Sequence, residues 1–283
     1  QVLLMREGGL FDQFYLVHIA PTQGLGAAAR RQLKRWLMLV SARRSDRILT
    51  PTATMRDLLI GWEPDLASRI SVSTYGTLSG LFHPPVRRRD WRADGVLRLL
   101  YVSVYYPHKN PATLVRAVRR LNQEGVPCHA TITMRLEDAS TTLGGALDEA
   151  VLRDGVRDGL VTVGERAYED LPELYQQHDA FVFPSVTETF GHPMAEAMSS
   201  GLPVVAADTA VNREICDEAG GYFRPFEGVD LADRLMAMDA DPTLAAARGM
   251  AGRRRVETLL TWERHVDEVL DVLRAQANRT RGT

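Results

Sequence analysis

Strands alternating with helices from about residue 96 to residue 206 predict an α/β fold, a parallel sheet doubly wound by right-handed βαβ units. Three observations carry this prediction. Short Val-, Leu- and Phe-rich runs recur between amphipathic segments at the βαβ period. Helix boundaries carry Asn, Pro and Gly where helix ends favour them. The 283 residues, 45% hydrophobic and 25% charged, suffice for about two domains, each with its own core. That composition excludes disordered, collagen-like and coiled-coil classes.

The elements follow in order. After Gln1, the apolar run Val2-Leu3-Leu4-Met5 reads as a first strand. Residues 24–44 read as a helix with a strongly basic face, 46–51 as a buried strand, 52–60 as a helix and 69–73 as a strand. An irregular stretch rich in Gly, Pro and charge follows, with a domain boundary near Asp90. Beyond it, 96–104 is a strand, and Asn110 caps a helix whose first residue is Pro111 and whose end is marked by Gly125. Strands at 130–134, 160–163, 181–183 and 203–206 alternate with helices at 146–154, 170–177 and 193–200, and helices around 231–238 and 262–275 complete the chain. The expected organisation is residues 1–90 as a partial N-terminal domain and linker and 91–260 as a second, doubly wound Rossmann-like domain. Residues 261–283 form a terminal helix and tail that returns toward the first domain.

Charge and cysteine usage narrow the function. The net charge of −2 conceals a basic first hundred residues at +7 and an acidic remainder at −9. Only two of the basic side chains are lysines, Lys34 and Lys109, so each is suspected of being needed as a compact ammonium. Cys128 and Cys216 lie far apart, outside any CxxC or Cys/His cluster, which argues against a disulfide scaffold or structural zinc and for a cytoplasmic setting. No apolar run is long enough to cross a bilayer, and the first residues do not read as a signal peptide.

In a doubly wound sheet, ligands bind beyond the carboxyl ends of the strands. Two such loops stand out. One runs from Ser103 to Asn110 and places Lys109 beside a helix start. The other runs from Pro184 through Glu188, turns at Gly191 and opens a helix at Pro193, whose free amides suit a phosphate. Glu188 and Glu196 have seven residues between them. Carboxylates are poor companions for phosphate but good acceptors for vicinal hydroxyls. A diphosphate on amides with one glutamate on each side fits a nucleotide-sugar, with Glu196 on the ribose and Glu188 on the transferred sugar. Taken singly, each glutamate would read as a first-turn carboxylate facing the helix dipole.

The run FVFPSVTETFGHPMAEAMSSGLPVVAAD resembles the nucleotide-sugar-binding segment of the retaining glycosyltransferases of family 4, whose GT-B architecture is a pair of Rossmann-like domains. The strand and loop around Lys109 resemble their diphosphate loop, Val161-Thr162-Val163-Gly164 their base-pocket strand, and Thr261-Trp262-Glu263 the opening of their last helix. The resemblance covers residues 96–276 and, more weakly, 1–85. It implies a retaining glycosyltransferase with a nucleotide-diphosphate-sugar donor, an unnamed acceptor, no metal and no further cofactor. Glu188 and Lys109 are the expected catalytic residues. Glu196, Ser103, His108, Gly164, Arg166, Thr189, Phe190, Gly191 and His192 are the expected donor-binding set.

This sequence also departs from the family pattern. Ser103 and Val104 stand where many members carry glycine and arginine, so a second diphosphate cation is missing or comes from His108 or Arg166. Thr189 replaces the usual glycine after the first glutamate. Nothing matches the family's first strand and glycine-rich loop, so the N-terminal domain is expected to be incomplete. Arg6, Glu7 and His18 are the acceptor-side candidates. The basic residues Arg30, Arg31, Lys34, Arg35, Arg43 and Arg44, with Trp36 and Leu37, form either a solvated face or a peripheral contact with an anionic membrane or lipid-diphosphate acceptor. Nucleic acid is not expected, for want of a binding motif. The competing reading is a non-catalytic nucleotide-sugar binder.

Overall fold

Two parallel sheets organise the chain in the computed structural model, which describes residues 1–85, 90–142 and 144–281. The smaller is built from β1 (Val2–Leu4), β2 (Arg47–Thr50) and β3 (Ile70–Val72), in spatial order β1-β2-β3. Between them lie α1 (Gln13–His18), α2 (Gly24–Arg44) and α3 (Ala53–Trp62). Met5, Phe11, Ala42, Ile48, Met55 and Leu59 form the core of this unit.

The larger sheet contains β4 (Leu97–Tyr101), β5 (Cys128–Ile132), β6 (Val161–Val163), β7 (Ala180–Phe183), β8 (Val204–Ala207) and β9 (Gly220–Phe223). Its helices are α4 (Pro111–Gln123), α5 (Leu136–Thr141), α6 (Ala146–Arg157), α7 (Leu171–Gln176), α8 (His192–Ser199), α9 (Ala210–Cys216), α10 (Gly228–Ala240), α11 (Pro242–Leu259) and α12 (Trp262–Arg281). The strand order is β6-β5-β4-β7-β8-β9, parallel throughout. Every residue of β7 and β8 is buried, which explains why AFVF and VVAA are unbroken apolar runs instead of alternating ones. On α4, Leu114, Val115, Ala117, Val118 and Leu121 are buried against the sheet.

The α/β, parallel, doubly wound expectation agrees with this architecture. The centre of the expected linker, residues 86–89, lies outside the described residues. The first strand of the larger sheet ends at Tyr101 instead of 104, because Val102 onward leaves the ladder to form the ligand-facing loop. Strand β9 and helices α9 and α11 are not legible in the sequence reading: Gly220-Gly221 suppresses the strand signal, and α11 carries only a weak apolar stripe. Asn110 departs from its expected capping role. It sits in the left-handed region at φ 51°, its Oδ1 accepts from the Thr113 hydroxyl at 2.8 Å, and its amide donates to the Pro184 carbonyl at 3.3 Å.

The two sheets are tied together by side chains. The Glu214 carboxylate, on α9, accepts from the Ala53 and Thr54 amides at the start of α3, at 2.6 and 2.8 Å. A carboxylate there satisfies free amides and complements the helix dipole. Glu214→Ala is expected to cost about 1–2 kcal/mol, read as a lower urea midpoint; an unchanged midpoint removes the clamp. The start of α12 returns to the 73–77 segment: the Thr77 amide donates to Leu260 O at 2.9 Å, and the Ser73 hydroxyl lies 2.9 Å from His265 Nδ1.

Along α2, Leu25, Leu33, Trp36 and Leu37 are exposed. Its cations have unlike surroundings: Arg35 lies over the Trp62 ring at 4.1 Å and Arg43 pairs with Glu63, whereas Arg30 and Arg44 face solvent. Among the described residues, no helix is long and apolar enough to cross a membrane.

Candidate active site

The chain leaves β4 in one direction toward β5 and β6, and β7 begins the other half of the sheet on the opposite side of β4. Loops 102–110 and 184–191 therefore meet at the topological switch point, where an open parallel sheet forms a crevice. Hydrogen bonds lock the two loops to each other. The Val186 amide donates to His108 O at 2.9 Å, Asn110 reaches Pro184, and the Tyr101 hydroxyl donates to Lys109 O at 2.8 Å. Asn212 supports the second loop from below, its amide donating to Ser185 O at 3.2 Å and Ala207 O at 2.9 Å.

This scaffold brings the Lys109 ammonium to 2.5 Å from Glu188 Oε1, with side-chain exposures of 14% and 12%. Burial alone would raise the Glu188 carboxyl, but the Lys109 ammonium and the neighbouring His108 outweigh it and hold the group below the ordinary glutamate range. His108 is pushed down to about 4, chiefly by burial and further by Lys109. It is therefore neutral at pH 7 and does not supply a second cation to the free site. Its ring stacks on Tyr106 with centroids 5.6 Å apart.

Gly191 opens α8 at φ 85°, and a Cβ there would come 2.5 Å from Met194 Cε. Only glycine meets both demands without strain. No side chain caps this helix start; Pro193 has no N–H and the Met194 amide donates to Gly191 O at 2.9 Å, so the Gly191 and His192 amides are the ones left for a ligand. His192 lies parallel to the Tyr75 ring at 5.4 Å and close to Phe190 at 4.8 Å, and burial lowers its imidazole below the ordinary range. One turn further along, Glu196 Oε2 accepts from the Tyr175 hydroxyl at 2.9 Å. Burial raises the Glu196 carboxyl and the tyrosine hydrogen bond only partly offsets it.

Two adjoining cavities open beside the ion pair. One, about 480 Å³, is lined by Lys109, Glu188, His192, Arg6, Tyr75 and Trp262 among others. The second, about 610 Å³, shares Arg6, Glu188 and Thr189 and extends along α2 past Glu7 and His108. Thr189 joins the two halves of the molecule: its hydroxyl donates to Arg6 O at 2.9 Å, and its carbonyl accepts from Thr52 Oγ1 at 3.1 Å. Thr187 likewise donates to Asp12 at 2.9 Å.

The structure thus gathers Lys109, Glu188, Thr189, Phe190, Gly191 and His192 around one cavity, with Phe190 itself buried. Glu196 lies behind that group against Tyr175. Gly164 directly follows β6, its amide donating to Ile132 O at 3.0 Å. Three expected residues are placed elsewhere. Arg166 is exposed and lines a separate groove with Arg98 and His129, so it does not accompany Lys109. Ser103 lines neither cavity; its hydroxyl donates to Val104 O and its amide to Thr133, because the chain turns away at the end of β4. His18 is exposed on α1, packed against Phe14 at 4.4 Å, and lines neither cavity. Arg6, expected on the acceptor side, lines the same cavity as Lys109, and sequence reasoning missed the Tyr75–Trp262 wall. Gly76, followed at long range by a tryptophan-led helix, was the one available signal for that wall. Among the described residues, no three His, Cys, Asp or Glu side chains gather as a metal-ligand set. A further cavity of about 370 Å³, lined by Trp91, Asp179, Pro203 and Met250, lies at the amino ends of β7 and β8, remote from these loops.

Residues 87–255 match the family described as glycosyl transferases group 1. A D-inositol 3-phosphate glycosyltransferase from Stackebrandtia nassauensis is 30% identical over 242 residues, 80% of this chain and 53% of that protein. O-antigen chain mannosyltransferase B from Escherichia coli is 30% identical over 171 residues, 58% of this chain and 42% of the relative. The chain spans about half the length of the curated relatives it matches. Among solved structures, sucrose-phosphate synthase from Thermosynechococcus elongatus superposes with a TM-score of 0.79 at 21% identity, covering 98% of this chain and 68% of that one. Anabaena HepE, solved with UDP and glucose, gives 0.72 at 17% identity, covering 96% and 70%. These likenesses establish a shared fold.

Proposed function

Because this chain belongs to the group 1 glycosyl transferases and has their GT-B fold, we propose that it is a retaining family 4 enzyme that moves a sugar from a nucleotide-diphosphate-sugar to an acceptor. The observation that carries this reading is the buried Lys109–Glu188 pair at the switch point, beside the uncapped start of α8. In the free protein each partner satisfies the other. When donor enters, Lys109 turns its charge to the diphosphate and Glu188 takes up sugar hydroxyls, so neither is left buried and unpaired. Arg6 is the second cation for the diphosphate. Glu196 accepts the ribose hydroxyls, and Gly164 borders the base.

Catalysis is electrostatic in this reading. Lys109, Arg6 and the α8 amides are already oriented toward the charge that develops on the leaving diphosphate, without a metal or another cofactor. The UDP bound in HepE supports uridine nucleotides as the first donors to try. A cytoplasmic setting is supported by the buried free thiols Cys128 and Cys216, and peripheral membrane contact by exposed Trp36 and Leu37 on basic α2.

Calorimetric titration with UDP, GDP, ADP and their glucose or mannose conjugates tests the reading, followed by mass spectrometry of products. Binding of none of them sinks it; binding without transfer or donor hydrolysis supports the non-catalytic binder instead. Glu196 adds a sharper test. Its carboxyl is raised by burial, so its stabilising share is complete below the ordinary glutamate range and is lost as pH rises through the raised value. Glu196→Gln is expected to raise the melting temperature at pH 7 by about 2–4 °C, an effect that vanishes near pH 4. It should also weaken nucleoside diphosphate binding about tenfold or more through loss of a charged hydrogen bond. Unchanged nucleotide affinity removes Glu196 from the ribose site.

A further inference from the structure

The wall of the larger cavity facing Glu188 is cationic. Arg6, Arg30, Arg31 and Lys34 line it, three of them from two adjacent turns of α2. Two anions share the space and both are engaged: Glu7 with Lys34 at 2.5 Å, and Glu188 with Lys109. Among the described residues no carboxylate pairs with Arg6, Arg30 or Arg31. Arg31 is held in place by neutral groups, Nη1 donating to Gln23 Oε1 at 3.1 Å and the guanidinium approaching the Tyr15 ring at 6.0 Å. The positive end of α2 adds to this field: Gln23 and Ala27 line the cavity, no side chain caps the helix, and its first turn holds no acid. Tyr15 and Tyr106 also line the cavity.

Arg30 and Arg31, with no carboxylate partner among the described residues, line a cavity that also holds Glu188, Tyr15 and Tyr106, and so define a pocket for a ring that carries a phosphate. Arginine's planar donors match phosphate oxygens two at a time. We propose that the acceptor is a hydroxylated ring bearing a phosphate ester, with the phosphate on Arg30 and Arg31 and a ring hydroxyl turned toward Glu188. This inference rests on the transferase reading above. The phosphate can belong to a free sugar phosphate or to a lipid headgroup, since both present the same oxygens.

The test titrates the full chain with glucose 6-phosphate and with glucose, both with and without saturating UDP. A parallel arm measures co-sedimentation with phosphatidylcholine vesicles, plain or carrying phosphatidylinositol. The expected result is binding at least ~tenfold tighter for glucose 6-phosphate than for glucose, or for phosphatidylinositol vesicles than for plain ones, and the arm that responds names the source. Arg30→Glu combined with Arg31→Glu should abolish the preference, while the Kd for UDP moves less than twofold. Arg30→Ala, at an exposed side chain without a partner among the described residues, should lower it several-fold and guards against misfolding of the double variant. Equal binding of glucose 6-phosphate and glucose, together with equal sedimentation on plain and phosphatidylinositol vesicles, overturns the inference, as does a preference that survives the double reversal. If none of UDP, GDP, ADP and their sugar conjugates binds, the transferase reading falls, and the titrations without nucleotide still decide the phosphate preference.

Discussion

Lys109→Ala is expected to lower sugar transfer, or donor hydrolysis where no acceptor is supplied, by about 10²–10³-fold. It should also cost roughly 3–5 kcal/mol of stability, because it strands the Glu188 carboxylate in a buried site. The pH dependence separates this from simple damage. With Lys109 present, the Glu188 carboxyl is held below the ordinary range, so the pair's stabilisation is complete above about pH 4.3 and is lost as pH falls through the depressed value. Without Lys109, burial dominates and the carboxyl rises, so stability is complete at low pH and is lost as pH rises through the raised value. Urea denaturation from about pH 2.5 to pH 8 should therefore show parent stability falling with acid below about pH 4.3, and the variant's falling instead as pH rises above that value. Glu188→Gln strands the opposite charge and should likewise be unstable and slow. Combining Glu188→Gln with Lys109→Met removes both charges; stability should return to within about 1–2 kcal/mol of the parent while transfer stays lost. A single variant with parent-like turnover would remove that residue from the chemistry.

Gly76→Ala is expected to have the next largest effect, and by a route remote from the ion pair. A Cβ at this position would lie 2.1 Å from the Trp262 amide nitrogen and 2.3 Å from the Thr261 carbonyl carbon, both backbone atoms that cannot rotate aside. The 73–77 segment and the start of α12 must then separate. That breaks the Thr77–Leu260 hydrogen bond and pulls Tyr75 from its contacts with Trp262 and His265, whose centroids lie 6.2 and 5.1 Å away. Overpacking of this kind costs roughly 1–3 kcal/mol. Because Tyr75 and Trp262 also line the cavity that holds Lys109, donor binding should weaken together with stability. The near-parallel contact between Tyr75 and His192 offers a local probe: the His192 ring resonances should shift in the variant. A Gly76→Ala protein with parent stability and an undisturbed His192 would mean that the close approach is absent.

Much of the fold and part of the site are legible in the sequence because they depend on local rules. The apolar runs of β4, β7 and β8 are buried strands that no polar alternation interrupts, and Pro111 with Gly125 brackets α4 as helix-end preferences require. Glu188, Gly191 and Glu196 are visible as a loop-to-helix transition with spaced carboxylates. β9 is invisible for an equally local reason: two glycines give it no β-propensity, and it forms only because β8 offers a ladder to pair with. The basic helix was legible as an element, but not the division of its cations between Glu63, Trp62, Glu7 and open cavity, which depends on what packs beside each turn.

By itself, the sequence determined the alternation of strands and helices, the two loops that carry the chemistry and the residue types within them. The tertiary structure alone decided which charges meet. Lys109 and Glu188 stand 79 residues apart in the chain and 2.5 Å apart in space. Arg6 reaches the same cavity from the other sheet, whereas Arg166 and His18, closer to expectation on paper, point elsewhere. The physical reason lies in the range of the forces. Propensity, capping and periodicity act over a few residues and leave marks in a linear string. Coulomb attraction and desolvation depend on distance and burial, which exist only once β4 and β7 lie side by side and their loops face the first domain.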